Sequence, residues 1–181
     1  MQAVRLDHVS VTVRDLDSSL GFYVGLLRLP LIARGVSDDA ELAEIMGQDD
    51  VSIRWADIEV GDALVLELVE FMRPIGTPVT KSLWDPGATH IGLQVGDIDA
   101  VHERLREAGV RVVSKPVRLT EEGDWHGVRV HYAIDPDGTW IELVQRPDHV
   151  EVIEHIDAGQ AIQAPVSRTS STTGIVRAVS R

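Results

Sequence analysis

The chain contains no cysteine. That excludes disulfides, thiolate nucleophiles and zinc–thiolate sites, so any metal must be held by imidazole nitrogen and by oxygen. Nor is there an apolar run of the roughly 18 residues that a membrane-spanning helix needs. The opening MQAVRLDHVSVTV enters a strand pattern directly, without the continuous apolar core of a signal segment. These absences point to a cytoplasmic protein. Positive charge is also scarce: 17 Lys and Arg stand against 29 Asp and Glu, a net charge of −12. Repulsion from phosphates argues against nucleic acid and anionic membrane as partners. What remains is 181 residues, 44% hydrophobic and 25% charged, enough for one globular domain with a sizeable core.

The chain repeats itself. Asp7–Asp17 (DHVSVTVRDLD) matches Thr89–Asp99 (THIGLQVGDID), with His8 on His90 at an offset of 82. Val65–Val69 (VLELV) matches Trp140–Val144 (WIELV), with Glu67 on Glu142 at an offset of 75. A solenoid needs three or more stacked units, so two copies imply one duplicated module packed against its own copy.

In each copy a strand of alternating apolar residues (Val9, Val11, Val13; Ile91, Leu93, Val95) precedes a helix signal. Asp15 or Asp17 caps the first helix, through Leu27; Asp97 or Asp99 caps the second, which Gly109 ends. Short strands are expected near Leu31–Ala33 and Arg111–Ser114, then paired strands Ser52–Glu59 with Ala63–Glu70, and Val128–Ile134 with Thr139–Gln145. Gly61-Asp62 and Asp135–Gly138 have turn chemistry. Each copy thus reads β-α-β-β-β, an α+β fold. We divide residues 1–147 into module one (1–70), a Pro- and Gly-containing linker (71–88) and module two (89–147). Residues 148–181 form a C-terminal extension, read as a helix followed by a Ser/Thr-rich mobile tail. Ser37–Gly47 breaks the symmetry as a short extra helix, with Asp38 three residues before Glu41.

Strand phase places the histidines and glutamates. If the valines beside His8 face the helix, His8 faces the other side, and His90 follows the same rule. Leu66, Leu68, Ile141 and Leu143 take the helix side, so Glu67 and Glu142 turn away from it. A glutamate inside an apolar strand is costly to bury unpaired. Two histidines and two carboxylates in register are therefore read as a divalent metal site: His8, Glu67, His90 and Glu142. Such nitrogen and oxygen donors suit Ni, Co, Zn, Mn or Fe(II) and do not choose among them. Glu70 has the wrong phase.

Other residues are candidates to line a substrate pocket. Trp55 and His131 correspond at an offset of 76 and alternate with apolar neighbours. Trp140 shares the phase of Glu142, and Trp125 lies on the polar loop Arg118–Gly127. His102 reads as solvated on the polar face of the second helix.

The segments LDHVSVTVRDLDSSLGFYVGLL, LVLELVEF, ATHIGLQVGDIDAVHERLREAGV and DPDGTWIELVQRP resemble the glyoxalase / bleomycin-resistance / ring-cleaving dioxygenase superfamily, the vicinal oxygen chelate proteins. The resemblance covers Val4–Pro147. It implies paired βαβββ modules forming a curved sheet, helices on the convex face and a metal in the concavity. The quartet is similar to that of bacterial glyoxalase I. Methylmalonyl-CoA epimerases commonly carry glutamine where this chain has Glu67, and their extra catalytic glutamate falls near Trp55. Arg28 replaces the glycine usual in the Leu-Gly-Leu after the first helix.

The function expected from this pattern is a metal-dependent lyase or isomerase that moves a proton next to the carbonyl of a small chelating substrate. Glu67 or Glu142 would carry the proton. Two other readings stand beside it. His8, His90 and Glu142 would serve an Fe(II) ring-cleaving dioxygenase, with His131 as its acid–base group, although Glu67 would occupy a position that this chemistry needs open. A metal-free resistance protein that sequesters a small molecule would leave the quartet without purpose. Exposed edge strands lead us to expect a homodimer.

Overall fold

The computed structural model describes residues 5–61, 64–79 and 82–147. The C-terminal extension, with its expected helix and tail, and part of the Gly61-Asp62 turn lie outside these residues. The described elements form two βαβββ modules, each a four-stranded mixed sheet, so the α+β expectation holds. Module one comprises β1 (His8–Val13), α1 (Leu16–Leu20), β2 (Leu31–Ser37), α2 (Ala40–Met46), β3 (Ser52–Val60) and β4 (Leu64–Arg73). Module two comprises β5 (His90–Gln94), α3 (Ile98–Glu107), β6 (Val117–Arg118), β7 (Arg129–Ile134) and β8 (Trp140–Gln145). The sheet orders are β1-β4-β3-β2 and β5-β8-β7-β6. The strand that opens each module runs parallel to the one that closes it, and the other pairings are antiparallel.

The helix starts follow from the sequence. Asp15 accepts from the Ser18 amide (2.7 Å) and Asp97 from the Ala100 amide (3.0 Å), each satisfying an otherwise orphaned donor. α1 runs into a π-helical turn, Gly21–Leu26, which closes with a hydrogen bond from the Leu27 amide to the Phe22 carbonyl. Arg28 then takes φ 61°, the left-handed conformation that suits glycine. Gly47 and Gly109 meet the same demand after α2 and α3, at φ 61° and 75°. Glu70 lies on the helix side as its phase implied. It accepts from the Leu16 amide and from Arg54.

Two expectations shift. Asp39, not Asp38, caps α2, through the Leu42 amide at 2.8 Å. The segment Arg111–Ser114 is not a strand. It makes only a bridge from Val112 to Ala133, and Val117–Arg118 pairs with β7 instead. Lys115-Pro116 interrupts the run, and proline cannot donate to a ladder.

The helix-facing sides of both sheets share one core with α1, α3 and the π-helical turn. Leu66, Leu68, Ile141 and Leu143 are fully or almost fully buried there, with Leu16, Phe22, Tyr23, Ile98 and Leu105. Each such side chain contributes about 1.5–3 kcal/mol by leaving water. Tyr23 joins the modules by donating to Asp135 at 2.9 Å, and Arg104 reaches from α3 to the Leu26 carbonyl. Both sheets therefore turn their opposite faces outward, away from this core. Among the described residues, no helix is long and apolar enough to cross a membrane.

Candidate metal centre

The outward faces carry the expected residues. His8 Nε2 lies 3.9 Å from Glu67 Oε2, and His90 Nε2 lies 3.5 Å from Glu142 Oε2. The histidines are half-exposed and the glutamates sit lower, flanked by strand neighbours. Two atoms that each lie about 2.0–2.2 Å from one ion stand at most about 4.4 Å apart. Both pairs meet that bound, so each can supply two ligands of a tetrahedral or octahedral shell. His8 Nδ1 is engaged by Asp7 Oδ2 at 3.1 Å, which leaves Nε2 as the nitrogen turned toward Glu67. That bond with Asp7 raises the His8 pKa; burial opposes it, and the charges of Glu67, Asp7 and Asp57 add smaller contributions to the rise.

The two pairs do not converge. Among the described residues no group of three or more His, Cys, Asp or Glu side chains is placed to hold an ion. The reason lies in the fold: each pair sits on the face of its sheet opposite the core that the modules share. Within one chain the quartet is two half-sites.

Register shows what surrounds each half. Asp57 lies directly across from Glu67 on β3, and Tyr132 directly across from Glu142 on β7, both 75 residues apart like the glutamates. Tyr132 donates to Glu142 Oε1 at 3.1 Å and sets its ring edge-on to His90 (5.8 Å) and to Trp140 (5.7 Å). Burial, and then the Glu142 charge, push the Tyr132 pKa up, which keeps it a donor. Asp57 is also pushed up, by burial first and Glu67 second, with His8 pulling the other way. Gly92 lies beside Glu142, where a Cβ would come 3.5 Å from Oε2.

His131 requires a correction. The structural offset through β3 and β7 is 75, so His131 corresponds to Ala56 rather than Trp55. It faces α3, 1% exposed, with its ring edge-on to that of His102 at 5.0 Å. His102 is likewise buried, not solvated. Among the described residues neither ring nitrogen of His131 makes a hydrogen bond, and burial followed by His102 lowers its pKa.

Trp55 does lie on the outer face, across from Val69. It packs over Gly35 and donates from Nε1 to Ser37 Oγ at 3.2 Å. With Phe71, Ile53 and Val69 it forms a small apolar cluster that Leu42 of α2 caps. The extra helix therefore sits on the same face as Glu67. Trp140 lines a cavity of about 720 Å³ bounded also by Thr12, Phe71, Ile75 and Asp137. Trp125 is exposed on its loop, under the Arg146 guanidinium at 4.8 Å. Asp57 and Tyr132 were missed by sequence reasoning. Carrying the offset of 75 back from the glutamates into the preceding strands would have found them.

The family described as Glyoxalase/Bleomycin resistance protein/Dioxygenase superfamily matches residues 5–143. A 2-epi-5-epi-valiolone epimerase from Actinomyces sp. is 32% identical over 149 residues, covering 80% of this chain and 81% of that protein. A probable lactoylglutathione lyase from Synechocystis is 30% identical over 139 residues, covering 76% of this chain and 92% of that one. Among solved structures, a glyoxalase family protein from Bacillus cereus superposes with a TM-score of 0.71 at 24% identity, covering 80% of this chain and 95% of that one.

Proposed function

The chain belongs to the glyoxalase/bleomycin resistance protein/dioxygenase superfamily, and from that premise we propose that it is a metal-dependent lyase or isomerase acting on a small substrate with neighbouring oxygens. The observation that carries this reading is the pair of His–Glu half-sites in equivalent register, His8 with Glu67 and His90 with Glu142. Relatives named as an epimerase and as lactoylglutathione lyases support it, since proton movement beside a carbonyl is chemistry that both kinds of enzyme perform. The four side chains would hold Ni, Co, Zn, Mn or Fe(II), and a divalent ion there would supply Lewis acidity toward the substrate carbonyl.

Because the half-sites lie on outward faces, a homodimer completes the centre. His8 and Glu67 of one copy face His90 and Glu142 of a second, twice per dimer. The residues then do the remaining work. A glutamate accepts the proton from the carbon beside the carbonyl and, after exchange with solvent, returns one to the neighbouring carbon, or the other glutamate delivers one to the opposite face. Trp140, Trp55 and the small cluster under α2 limit water near the reacting carbons. The dioxygenase reading loses its acid–base group, because His131 faces α3 and not the half-site.

The test is metal content and proton exchange together. The purified full chain is loaded separately with each of the five metals. It is then assayed for deuterium incorporation from D2O into hemithioacetals, 2-acyl-CoA esters and 2-epi-5-epi-valiolone, with catechols under oxygen as the contrast. Bound metal with exchange in one of the first three classes is expected. Ring cleavage of a catechol, or metal content unchanged in a His8→Ala, His90→Ala double variant, would overturn the reading.

A further inference from the structure

The cavity that Trp140 lines adjoins one half-site. Thr89, also in its wall, precedes His90 in the chain, and Trp140 stands directly across from His90 in the β5–β8 ladder. Trp140 shares its face with Glu142 and packs edge-on at 5.7 Å against Tyr132, which donates to that glutamate. Thr12 and Phe71 of module one bound the cavity on another side, and linker residues 74–79 on a third. Its volume of about 720 Å³ falls within the roughly 300–1,000 Å³ of small-molecule sites. A chelating pair of oxygens needs far less, so there is room for the part of a substrate that does not react.

The lining says what that part is. Phe71, Pro74, Ile75, Val79 and Trp140 make the walls chiefly apolar. Ile75 and Val79 are 86% and 74% exposed, apolar surface that gains by being covered. Thr12, Thr77, Thr89 and Thr139 add hydroxyls that can each donate and accept. Among the described lining residues Arg14 is the one cation and Asp137 the one anion. They are paired: the Arg14 amide donates to Asp137 Oδ2 at 2.9 Å, and its Nε lies 3.6 Å from Oδ1. An anion entering the cavity would compete with Asp137 for Arg14 and be repelled by Asp137 as well. It would also exchange water for apolar walls, which is costly for a charge.

Building on the metal-centre reading above, we propose that this cavity seats the non-reacting body of the substrate, and that this body is an uncharged, largely apolar ring or branched chain carrying few oxygens. The neighbouring oxygens of the substrate lie at the His–Glu centre, and the body extends past Trp140 into the cavity. The threonine hydroxyls orient what oxygens it has. A phosphate-bearing thioester or an anionic peptide conjugate would find the one described cation of the lining already engaged.

The test uses a matched pair of probes: 2-hydroxy-1-phenylethanone, uncharged and with neighbouring oxygens, and the same ketone bearing a carboxylate on its ring. Ligand-observed NMR titration measures the binding of each to the full chain, metal-free and Co2+-loaded, for the wild type, Ile75→Asp and Ile75→Met. The uncharged ketone should bind the metal-free wild type at least 10-fold more tightly than the carboxylate. Ile75→Asp should weaken that binding at least 10-fold without altering melting temperature or Co2+ content, because a charge replaces an apolar contact. Ile75→Met should keep it. In the Co2+-loaded chain, deuterium exchange of the uncharged ketone should show the Ile75→Asp loss as a raised KM rather than a lowered kcat. Equal binding of the two probes, tighter binding of the carboxylate, or indifference to Ile75→Asp would overturn the cavity assignment. Binding seen only on dilution to monomers would overturn it as well, since a second copy would then fill the cavity. Ketone binding that depends on Ile75 in a chain that takes up no Co2+ would instead overturn the metal centre and leave the cavity assignment standing.

Discussion

Replacing His131 by leucine should make the protein both more stable and less sensitive to acid. His131 is 1% exposed between β7 and α3, and among the described residues neither ring nitrogen has a hydrogen-bond partner. A buried polar group without a partner costs about 1–3 kcal/mol, and leucine of similar size removes that cost and adds apolar contact. Stability at pH 8 should therefore rise by about 1 kcal/mol or more. The pH effect follows from the groups around the ring. Burial, and then His102, lower the His131 pKa from its ordinary 6.5, while the Tyr132 backbone and Asp99, itself paired with Arg129, pull weakly the other way. A histidine with a lowered folded pKa binds its proton mainly in the unfolded chain. Its contribution is thus fully present above the unfolded value and is lost as pH falls below it, toward the folded value. Acid therefore destabilises the wild type through this ring, and the leucine variant lacks that loss. Urea unfolding of the wild type and of His131→Leu at pH 8, 6.5 and 5 measures both effects. A variant that is less stable at pH 8, or that loses stability in acid as steeply as the wild type, would refute the reasoning.

Three further outcomes are expected. Arg28→Gly relieves a left-handed residue at φ 61°; even after glycine's greater freedom in the unfolded chain it should stabilise by about 0.5–1 kcal/mol, seen as a higher melting temperature. Tyr23→Phe leaves the buried Asp135 Oδ2 without the donor that spans the modules at 2.9 Å, so it should cost about 1.5–3 kcal/mol in urea unfolding. Deleting Asp39–Met46 with a short glycine bridge removes Leu42 from above Ile53, Trp55 and Val69; if the extra helix closes over bound substrate, turnover should fall about 10-fold or more while metal content and fold survive, the scale on which a closing element acts.

The duplication and the strand phases were legible because alternation is a local property. Val9 and Val11 beside His8, or Ile141 and Leu143 beside Glu142, reveal a face without any knowledge of the partner sheet. The same period of two made His131 a trap. An error of one residue in the correspondence turns every side chain to the other face, so pairing Trp55 with His131 hid Tyr132 and Asp57 from view. The Arg111–Ser114 strand failed for a related reason: apolar content predicted a strand, but its hydrogen bonds go to a single bridge and the ladder forms immediately after Pro116, at Val117–Arg118. Arg28 looked anomalous in sequence and became explicable only with its backbone angle. Most of all, phase assigns residues to faces but says nothing about which faces meet. The shared core behind both sheets, not the repeat, sets the two His–Glu pairs apart within one chain.

That separation can be tested by mixing two defective chains. One carries His8→Ala and Glu67→Ala, the other His90→Ala and Glu142→Ala, and each alone should fold yet bind no Co2+ and show no proton exchange. Co-expressed with two different tags, they form a mixed dimer in which one centre combines both intact halves and the other combines both defects. The account predicts that the doubly tagged dimer regains one Co2+ per dimer, and that the unfractionated mixture shows about a quarter of wild-type exchange, as random pairing of a two-fold dimer requires. Well-folded mixed dimers that regain neither metal nor exchange would contradict a centre built from two chains.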